Sequence, residues 1–269
     1  MQYEPIKSTL GRFLSGPVFL RKLFYCLLDL LLLRAWHVKR ALRRLRREYP
    51  GEASVLDAGS GFGQYTWRMS RMNRNWKIKA VDINREQVEE CRKFFQAAGL
   101  SGRVVCETAD LTRLSGNPRY DLILSVDVME HIREDDLVFR NFFNSLSDNG
   151  YLLMLTPSDK GGSDVHNASD ASFIDEHVRN GYGTVEISHK LASAGFRNIE
   201  IRYTYGIPGD ISWRLSMKYP VRMLNRSGLF FIILPFWYIL IFPFAFILNT
   251  FDLCLRHKQG TGLLVLAQK

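Results

Sequence analysis

The chain contains few cysteines, and their spacing is not that of a metal site or a disulfide framework. Four cysteines occur among 269 residues, at positions 26, 91, 106 and 254, with no CxxC pair. This scatter argues against a zinc knuckle and against a disulfide-stapled fold, and it favours a reducing compartment. Global disorder is also excluded, because hydrophobic residues make up 46% of the chain and can form a buried core.

Net charge is nearly absent beyond residue 50. Residues 51–269 carry 25 Lys/Arg and 24 Asp/Glu, whereas residues 1–50 carry eleven Lys/Arg and three Asp/Glu, which is +8 of the total of +9. A basic segment of this kind attracts phosphate, on lipid head groups or on nucleic acid. The near-neutral remainder makes nucleic acid the less favoured partner, because such a domain would itself carry an excess of positive charge.

The N-terminal segment lacks a run long enough to cross a membrane. Its apolar stretch, residues 23–33, has eleven residues, well short of the ~20 that a spanning helix needs. Arginines follow at once and no small-residue cleavage site is present, so a signal peptide is disfavoured. Residues 34–47 are basic, with apolar side chains on one helical face. We expect an amphipathic helix at a membrane interface with anionic head groups; a helix packed on the domain with a solvated basic face is the alternative.

Strands and helices alternate from residue 53 onward. The pattern predicts strands at residues 54–57, 76–81, 103–107, 122–126, 151–155, 198–204 and 262–269. It predicts helices at residues 84–98, 134–146 and 184–194. This order is typical of a doubly wound α/β fold with helices on both faces of a mostly parallel sheet.

A glycine-rich turn follows the first predicted strand. Residues 55–63 read VLDAGSGFG, an apolar strand that ends in an acid and continues into G-x-G-x-G at a helix start. Such glycines let a ligand approach the backbone and the helix N-terminus. A dinucleotide fingerprint would continue with glycine at the next position, which is Gln64.

Three acids stand at the ends of successive predicted strands. Asp57 ends the first strand and is suited to meet a ligand ammonium group. Asp82 ends the second, where a carboxylate accepts both ribose hydroxyls. Asp110 follows the third and can receive an adenine amino group. Because ligands bind at the carboxyl ends of such strands, the three acids predict a nucleoside attached to an amino acid.

These residues resemble the class I S-adenosylmethionine-dependent methyltransferases, over roughly residues 50–205 and the last strand. The resemblance implies a Rossmann-like sheet of seven strands and S-adenosylmethionine as the cofactor. The expected cofactor-binding residues are Asp57, Gly59, Ser60, Gly61, Gly63, Tyr65, Asp82, Ile83, Asp110, Leu111 and Ser125.

The segment after the fourth predicted strand resembles the ubiquinone-pathway O-methyltransferases, which show an acid-x-x-Glu-His pattern. Here the pattern comprises Asp127, Glu130 and His131, which would share one face of a helical turn. Two carboxylates and an imidazole can hold Mg²⁺ or another divalent cation that lowers the pKa of a substrate hydroxyl. Two alternatives remain: His131 is a general base without a metal, or Glu130 and His131 only pack near the cofactor.

We expect catalysis to depend on three residues, Glu130, His131 and His177. His177 lies in a polar stretch, residues 156–181, of the kind that often covers a ligand edge. A short helix around His177 is expected to face the cleft. His166, in the same stretch, is either a substrate contact or a solvated side chain.

The resemblance also constrains a second apolar stretch, residues 228–251, which contains no charge. As a helix it would be about 36 Å long, enough to cross the ~30 Å hydrocarbon layer. In the family, however, the last strand runs antiparallel beside the sixth. The connection between them must therefore leave the sheet and return to it on the same side of a membrane. Pro235 and Pro243 also interrupt a straight helix. We expect an in-plane or re-entrant hairpin, with a soluble lid or dimer contact as the alternative.

The predicted organisation has four parts: a membrane-binding segment (1–50), a methyltransferase core (51–205), a hydrophobic insert or substrate cap (206–258) and the last strand (259–269). Three aromatic side chains of the insert are expected at head-group depth: Trp213, Trp237 and Tyr238. The predicted function is O-methylation of a lipid-like or aromatic-lipid acceptor, at the cytoplasmic face of a membrane, by a peripheral or monotopic enzyme. The alternatives are N-methylation of an amine lipid, nucleic-acid methylation and a non-catalytic scaffold. The oligomeric state is left open.

Overall fold

The computed structural model describes residues 16–114, 119–161 and 178–269. The chain divides into two units. Among the described residues, the core unit comprises those within 40–202 and 262–269, and the helical unit comprises those within 16–39 and 203–261. Residues 16–39 of the N-terminal segment and the insert, predicted as separate parts, therefore belong to one unit, whereas residues 40–50 belong to the core unit.

The sheet has seven strands in the order β3-β2-β1-β4-β5-β7-β6. The strands are β1 (Ala53–Ala58), β2 (Trp76–Asp82), β3 (Val104–Thr108), β4 (Tyr120–Val126), β5 (Leu146–Pro157), β6 (Arg197–Thr204) and β7 (Gly262–Gln268). Strands β1 to β5 pair in parallel, whereas β7 runs antiparallel to β5. The predicted fold is confirmed, including the reversed last strand beside β6.

The helices are α1 (Val18–Leu31), α2 (Leu33–Glu48), α3 (Gln64–Met72), α4 (Arg85–Ala97), α5 (Asp135–Ser145), α6 (Thr184–Ala194), α7 (Ile207–Trp213), α8 (Tyr219–Arg226) and α9 (Phe230–Cys254). Local signals set several of their ends. The Asn84 side chain caps α4 by accepting from the Gln87 N–H at 3.1 Å. Gly99 and Gly195 follow α4 and α6 with φ of +72° and +106°, the left-handed conformation that ends helices.

The centre of the sheet is apolar on both faces. Val55, Leu56, Ile123 and Leu153 are all 0% exposed, as expected for parallel strands covered by helices on each side. The carboxyl ends of β1, β2, β3 and β4 consequently meet at one edge of the sheet.

The N-terminal segment forms two helices instead of one. Leu32 is extended, with φ of −89° and ψ of 113°, and separates α1 from α2. In α2 the apolar face is buried by protein, since Val38, Leu42 and Leu45 are at most 1% exposed. The interfacial-helix prediction is therefore wrong for α2, whose basic face is the solvated one. Exposed apolar side chains lie on α1 instead, such as Phe19 at 66%.

The insert forms a helical hairpin. Helices α7 and α8 are continuous through a wide π-type turn at residues 214–218, and α9 packs back along them. Trp237 Nε1 donates to the Leu215 carbonyl at 3.1 Å, and the Tyr238 hydroxyl donates to the Ser216 carbonyl at 2.7 Å. The polar atoms of both aromatic side chains therefore form hydrogen bonds within the hairpin. The sequence predicts that they contact lipid head groups instead.

Helix α9 is long and apolar enough to cross a membrane by length and composition, with a mean hydropathy of 2.5 over its most apolar window. It continues as one helix through Pro235 and Pro243, so the expectation that these prolines break it and that residues 228–251 themselves form a hairpin is wrong. Each proline removes one backbone donor, but the other hydrogen bonds of a long helix keep it intact.

The two parts of the helical unit meet at Asp252, the single charged residue of α9. Its carboxylate is 0% exposed and lies 2.8 Å from His37 Nε2. It also accepts from the backbone N–H groups of Tyr205 at 3.2 Å and Gly209 at 3.1 Å. His257 Nε2 lies 3.1 Å away. This buried carboxylate joins α2, the start of α7 and the end of α9.

Candidate active site

The glycine turn after β1 requires residues without side chains. Gly59, Gly61 and Gly63 have φ of +81°, +51° and +83°. A Cβ on Gly59 would lie 2.2 Å from Val128 Cγ2, which no side chain tolerates. On Gly61 a Cβ would have only Gln87 Oε1 within 4 Å, at 3.6 Å. The backbone at Gly61 is therefore open to a ligand, and the turn leads directly into α3.

Asp57 ends β1 and is buried, at 2% exposure. The pKa of Asp57 is raised to about 7, mainly by burial. The nearby charge of Asp82 contributes to this rise, and hydrogen bonds from Thr66 oppose it. Thr66 Oγ1 donates to Asp57 Oδ2 at 2.5 Å. A carboxylate in this setting gains strongly from a cationic ligand group, because the cation would compensate its buried charge.

Asp82, at the end of β2, is bound to the glycine turn. Its Oδ2 accepts from the Gly61 N–H at 2.8 Å, and its Oδ1 accepts from the Asn84 N–H at 2.9 Å. Each oxygen keeps a further lone pair for a ribose hydroxyl. The adjacent Ile83 is 73% exposed and offers an apolar surface to a flat base.

Three further predicted residues lie near the carboxyl ends of β3 and β4. Asp110 Oδ1 accepts from the Thr112 N–H at 2.9 Å and its hydroxyl at 2.7 Å, which lowers the pKa of Asp110. Leu111 beside it is 7% exposed. Ser125 is 1% exposed, and its hydroxyl has no hydrogen-bond partner among the described residues. A buried hydroxyl of this kind is a candidate ligand contact.

This edge of the sheet fits S-adenosylmethionine. Asp57, Asp82 and Asp110 lie at the carboxyl ends of three adjacent parallel strands, in the order that methionine, ribose and adenine would need. The open backbone at Gly61 and the buried Ser125 hydroxyl are consistent with the same ligand. The cofactor-binding roles of the predicted residues, Ser60 and Tyr65 included, stay predictions.

The segment after β4 departs from the helical turn that the sequence predicted. Asp127 has φ of +52°, a left-handed conformation that aspartate tolerates. A single 3₁₀ turn, Met129–His131, follows it. Glu130 is 1% exposed and accepts from Thr156 Oγ1 at 3.2 Å, whereas His131 is exposed.

The predicted metal site is not formed by these residues. Asp127 precedes the turn, so it does not share a helical face with Glu130 and His131. Across residues 16–114, 119–161 and 178–269, no three His, Cys, Asp or Glu side chains are grouped to hold a metal ion. The donor set therefore does not fit Mg²⁺, and the general-base alternative for His131 stays open. His166 and His177 lie outside the described residues.

An ion-pair network that the sequence analysis missed braces the turn that carries Glu130 and His131. Asp135, 2% exposed, accepts from Arg179 at 2.6 Å, from the Tyr182 hydroxyl at 2.8 Å and from Lys190 at 3.1 Å. The Arg179 guanidinium also donates to the Ile132 carbonyl at 2.8 Å. The pKa of Tyr182 is raised by its burial and by Asp135.

This network had no signal in the sequence, because its partners are 44 to 55 residues apart. Thr66 did have one, since it lies one helical turn into the helix that follows the glycine motif. Thr66 and the Asp135 network both hold residues that the sequence identifies as site candidates. Thr66 has only its position in the helix as a signal, and neither feature forms a known sequence motif.

Comparison with known proteins agrees with this geometry. The family described as a methyltransferase domain matches residues 51–196, more than half of the chain. A malonyl-[acyl-carrier protein] O-methyltransferase of Bacillus anthracis is 25% identical over 141 residues, which are 52% of this chain and 51% of that protein. A Pseudomonas putida protein named as a fatty acid methyltransferase is 25% identical over 146 residues, 53% of this chain and 35% of that protein.

A third relative, polyketide synthase ThaQ of Burkholderia thailandensis, is 27% identical over 110 residues, or 41% of this chain and 5% of that protein. The chain thus matches at most about half the length of these curated relatives.

Solved structures show the same fold. Phosphoethanolamine N-methyltransferase 2 of Haemonchus contortus aligns with a TM-score of 0.60 and 17% identity, covering 86% of this chain and 52% of that chain. The cyclase SpnF aligns with a TM-score of 0.56 and 18% identity, covering 81% of this chain and 75% of that chain. The glycine turn, the three strand-end acids and the family match together establish that this chain belongs to the S-adenosylmethionine-dependent methyltransferases of the Rossmann-like class.

Proposed function

We propose that this methyltransferase acts at a membrane surface and transfers its methyl group to an oxygen of a lipid-like acceptor. The observation that carries the proposal is the exposed face of α9. Phe236, Ile239 and Leu240 at its middle are 70%, 75% and 65% exposed. Soluble monomers rarely expose a continuous apolar surface of this length, so a lipid environment is the natural cover.

The relatives support an acyl lipid as the acceptor. Their names refer to fatty acids, to a malonyl group on a carrier protein and to polyketide synthesis. These compounds share an acyl chain, and fatty acids and malonyl groups offer a carboxyl oxygen. An enzyme held at a bilayer would meet such an acceptor without extracting it into water.

The residues of the chain have three tasks in this reaction. Asp57, Asp82 and Asp110 bind and orient the cofactor, which when bound supplies a methyl group already activated by a positively charged sulfur. His131, exposed beside this edge of the sheet, accepts the proton if the acceptor is a hydroxyl. Glu130, held by Thr156, fixes the turn that carries His131.

The cytoplasmic face of a membrane is the proposed location. Cys26, Cys91, Cys106 and Cys254 are all free thiols, two of them exposed, which suits a reducing compartment. Attachment as a peripheral or monotopic protein is consistent with the exposed surfaces of α1 and α9.

The test is methyl transfer from radiolabelled S-adenosylmethionine to a total membrane lipid extract. We expect label in the organic phase, and mass spectrometry of the product should show an added methyl on oxygen. Gly61→Arg, which projects a side chain into the open space above the glycine turn, should lose the label.

The matched control is Gly99→Arg, which also has a left-handed φ, +72°, and open surroundings but lies away from the site. It should keep the label. Label on a lipid amine would overturn the choice of oxygen. Label confined to nucleic acid or to water-soluble compounds would overturn the lipid acceptor.

A further inference from the structure

A row of positive charges runs along the α7–α8 helix of the insert. Arg214, Lys218, Arg222 and Arg226 recur every four residues, a spacing that places them on one side of a helix. Arg222 and Arg226 are exposed. Arg214 forms an ion pair with Asp210 at 2.9 Å, and Lys218 lies 5.9 Å from the centre of the Trp213 ring. We call these four residues the basic row.

The basic row makes the helical unit strongly cationic. Its described residues contain ten Lys/Arg and three Asp/Glu, and one of the three acids, Asp252, is buried. These described residues carry a net charge of +7, which is most of the chain's total of +9. The positive charge therefore lies in the same unit as the exposed apolar surface.

Helix α9 packs directly against the helix that carries the basic row, on the side of the buried Ser212 and Ser216. The Ser212 hydroxyl donates to the Ala245 carbonyl at 3.3 Å, and Trp237 and Tyr238 bind the backbone at residues 215 and 216. The middle of α9 is thus level with Arg214 and Lys218. Its opposite side stays apolar and exposed along the helix, from Phe231 at 48% to Phe251 at 55%.

This packing decides how the hairpin can meet a bilayer. The basic row extends over about 18 Å along its helix axis, at 1.5 Å per residue. If α9 crossed the membrane, the helix beside it would carry Arg214 and Lys218 into the hydrocarbon layer, where charged side chains are strongly disfavoured. If both helices lie in the membrane plane, the helix that carries the basic row stays near the phosphate layer along its length, within reach of long Arg and Lys side chains.

We propose that the helical unit is an in-plane membrane module that binds anionic phospholipid. The apolar side of α9 enters one leaflet, and the basic row binds lipid phosphates. The inference rests on the proposed membrane location and adds the chemistry of the partner and the orientation of the hairpin. Asp252 agrees with it, because the one charge of α9 is bound inside the protein by His37 and backbone N–H groups.

The first experiment measures partition of the full chain into vesicles by flotation, with no acceptor or cofactor present. Vesicles of phosphatidylcholine are compared with vesicles containing phosphatidylglycerol. Arg222→Gln/Arg226→Gln should weaken partition into the anionic vesicles about thirty-fold, given the usual contribution of each cation near an anionic surface. Partition into pure phosphatidylcholine should change little.

The matched control is Lys77→Gln/Lys93→Gln, which removes two exposed cations of the core unit, 73% and 64% exposed. It should leave the preference for anionic vesicles unchanged. Equal losses in both double variants would overturn the role of the basic row. Failure of the wild type to bind any vesicle, with formation of a dimer in solution, would overturn the membrane module in favour of a second copy of the chain.

The second experiment measures the depth of spin labels at residues 232, 239 and 251, in a Cys26→Ser/Cys254→Ser background that removes the exposed thiols. An in-plane helix gives three similar depths within one leaflet. Depths that change steadily from one membrane face to the other would overturn the orientation. Neither experiment involves methyl transfer, so a wrong acceptor leaves their outcome unchanged.

Discussion

Two buried aspartates of the core unit differ in how their charges are compensated. Asp135 faces two cations and a hydroxyl, so its negative charge is stabilised inside the protein. Asp57 has the Thr66 hydroxyl but no cationic side chain at hydrogen-bond distance among the described residues. The uncompensated acid is the one at the cofactor site, where a ligand ammonium group would complete its environment.

The raised pKa of Asp57 predicts a pH dependence of stability without cofactor. From about pH 4 to pH 7 the unfolded chain loses this proton while the folded protein keeps it, so the free energy of unfolding falls as the pH rises. Above pH 7 Asp57 is charged in both the folded and the unfolded state, and the free energy of unfolding is lowered by the full amount. That amount is several kcal/mol, at about 1.4 kcal/mol per unit of pKa difference. Asp57→Asn should therefore gain stability relative to wild type at pH 8 but not at pH 4, as measured by urea denaturation.

Asp110→Asn is the control, because the effect of Asp110 on stability should change with pH in the opposite direction. Because hydrogen bonds from Thr112 lower the pKa of Asp110, its contribution is present at neutral pH and is lost as the pH falls below the ordinary aspartate value. A constant difference between wild type and Asp57→Asn at both pH values would contradict the prediction.

The network around Asp135 gives a second prediction. Asp135→Asn leaves Arg179 and Lys190 without their buried counter-charge and should lower the free energy of unfolding by about 3 kcal/mol. Its neighbour Asp136 also pairs with Lys190, but its side chain is 59% exposed. Asp136→Asn should cost less than about 0.5 kcal/mol. Equal effects in denaturant titrations would show that the network does not brace the turn.

At the scale of elements, the sequence signals worked best where a cap or a glycine sets the end of a helix. Helix α6 was predicted at residues 184–194 and is Thr184–Ala194, followed by Gly195. The sequence does not predict α9 as one continuous helix, because proline inside a helix normally interrupts it. Hydrogen bonds from its other residues and packing against α7 and α8 keep it continuous, and neither contribution can be derived from local sequence.

The prolines of α9 therefore predict a gain of stability on substitution. Pro243 is exposed in the middle of the helix and removes a backbone donor. Pro243→Ala should raise the free energy of unfolding by about 1–3 kcal/mol, from the difference in helix propensity. Pro208→Ala is the control, because Pro208 lies in the first turn of α7, where no helical hydrogen bond is lost. Thermal unfolding in detergent measures both, and equal shifts would contradict the explanation.

At the scale of the whole molecule, the candidate cofactor site and the proposed membrane-binding surface belong to different units. The strand-end acids and the glycine turn lie in the core unit, whereas the exposed apolar residues of α9 lie in the helical unit. Each property should therefore respond to its own set of substitutions.

The triple variant Phe236→Ser/Ile239→Ser/Phe244→Ser tests this separation. All three side chains are at least 59% exposed, so the change should not disturb packing. Vesicle partition should fall at least about a hundred-fold from the apolar area removed. The dissociation constant for S-adenosylmethionine, measured by calorimetry, should stay within about two-fold, because no cofactor residue is altered. Loss of cofactor affinity together with vesicle binding would show that the units are coupled.

The sequence by itself determined the fold class, the approximate positions of the strands and the candidate residues of the cofactor site. Alternating apolar segments, glycines that need left-handed backbone and acids at strand ends are local features, and each has a direct physical reason at its own position. Asp57, Asp82 and Asp110 follow three strands that are neighbours in the sheet, as that pattern predicts.

Only the tertiary structure decided which faces are covered and which distant charges meet. The apolar face of α2 was assigned to lipid, but protein buries Leu42 and Leu45. The predicted metal triad depended on a regular turn that the left-handed Asp127 does not form. Asp252 with His37, and Asp135 with Arg179, join residues far apart in the chain. Burial and long-range pairing depend on the packing of whole elements, and no local pattern encodes that packing.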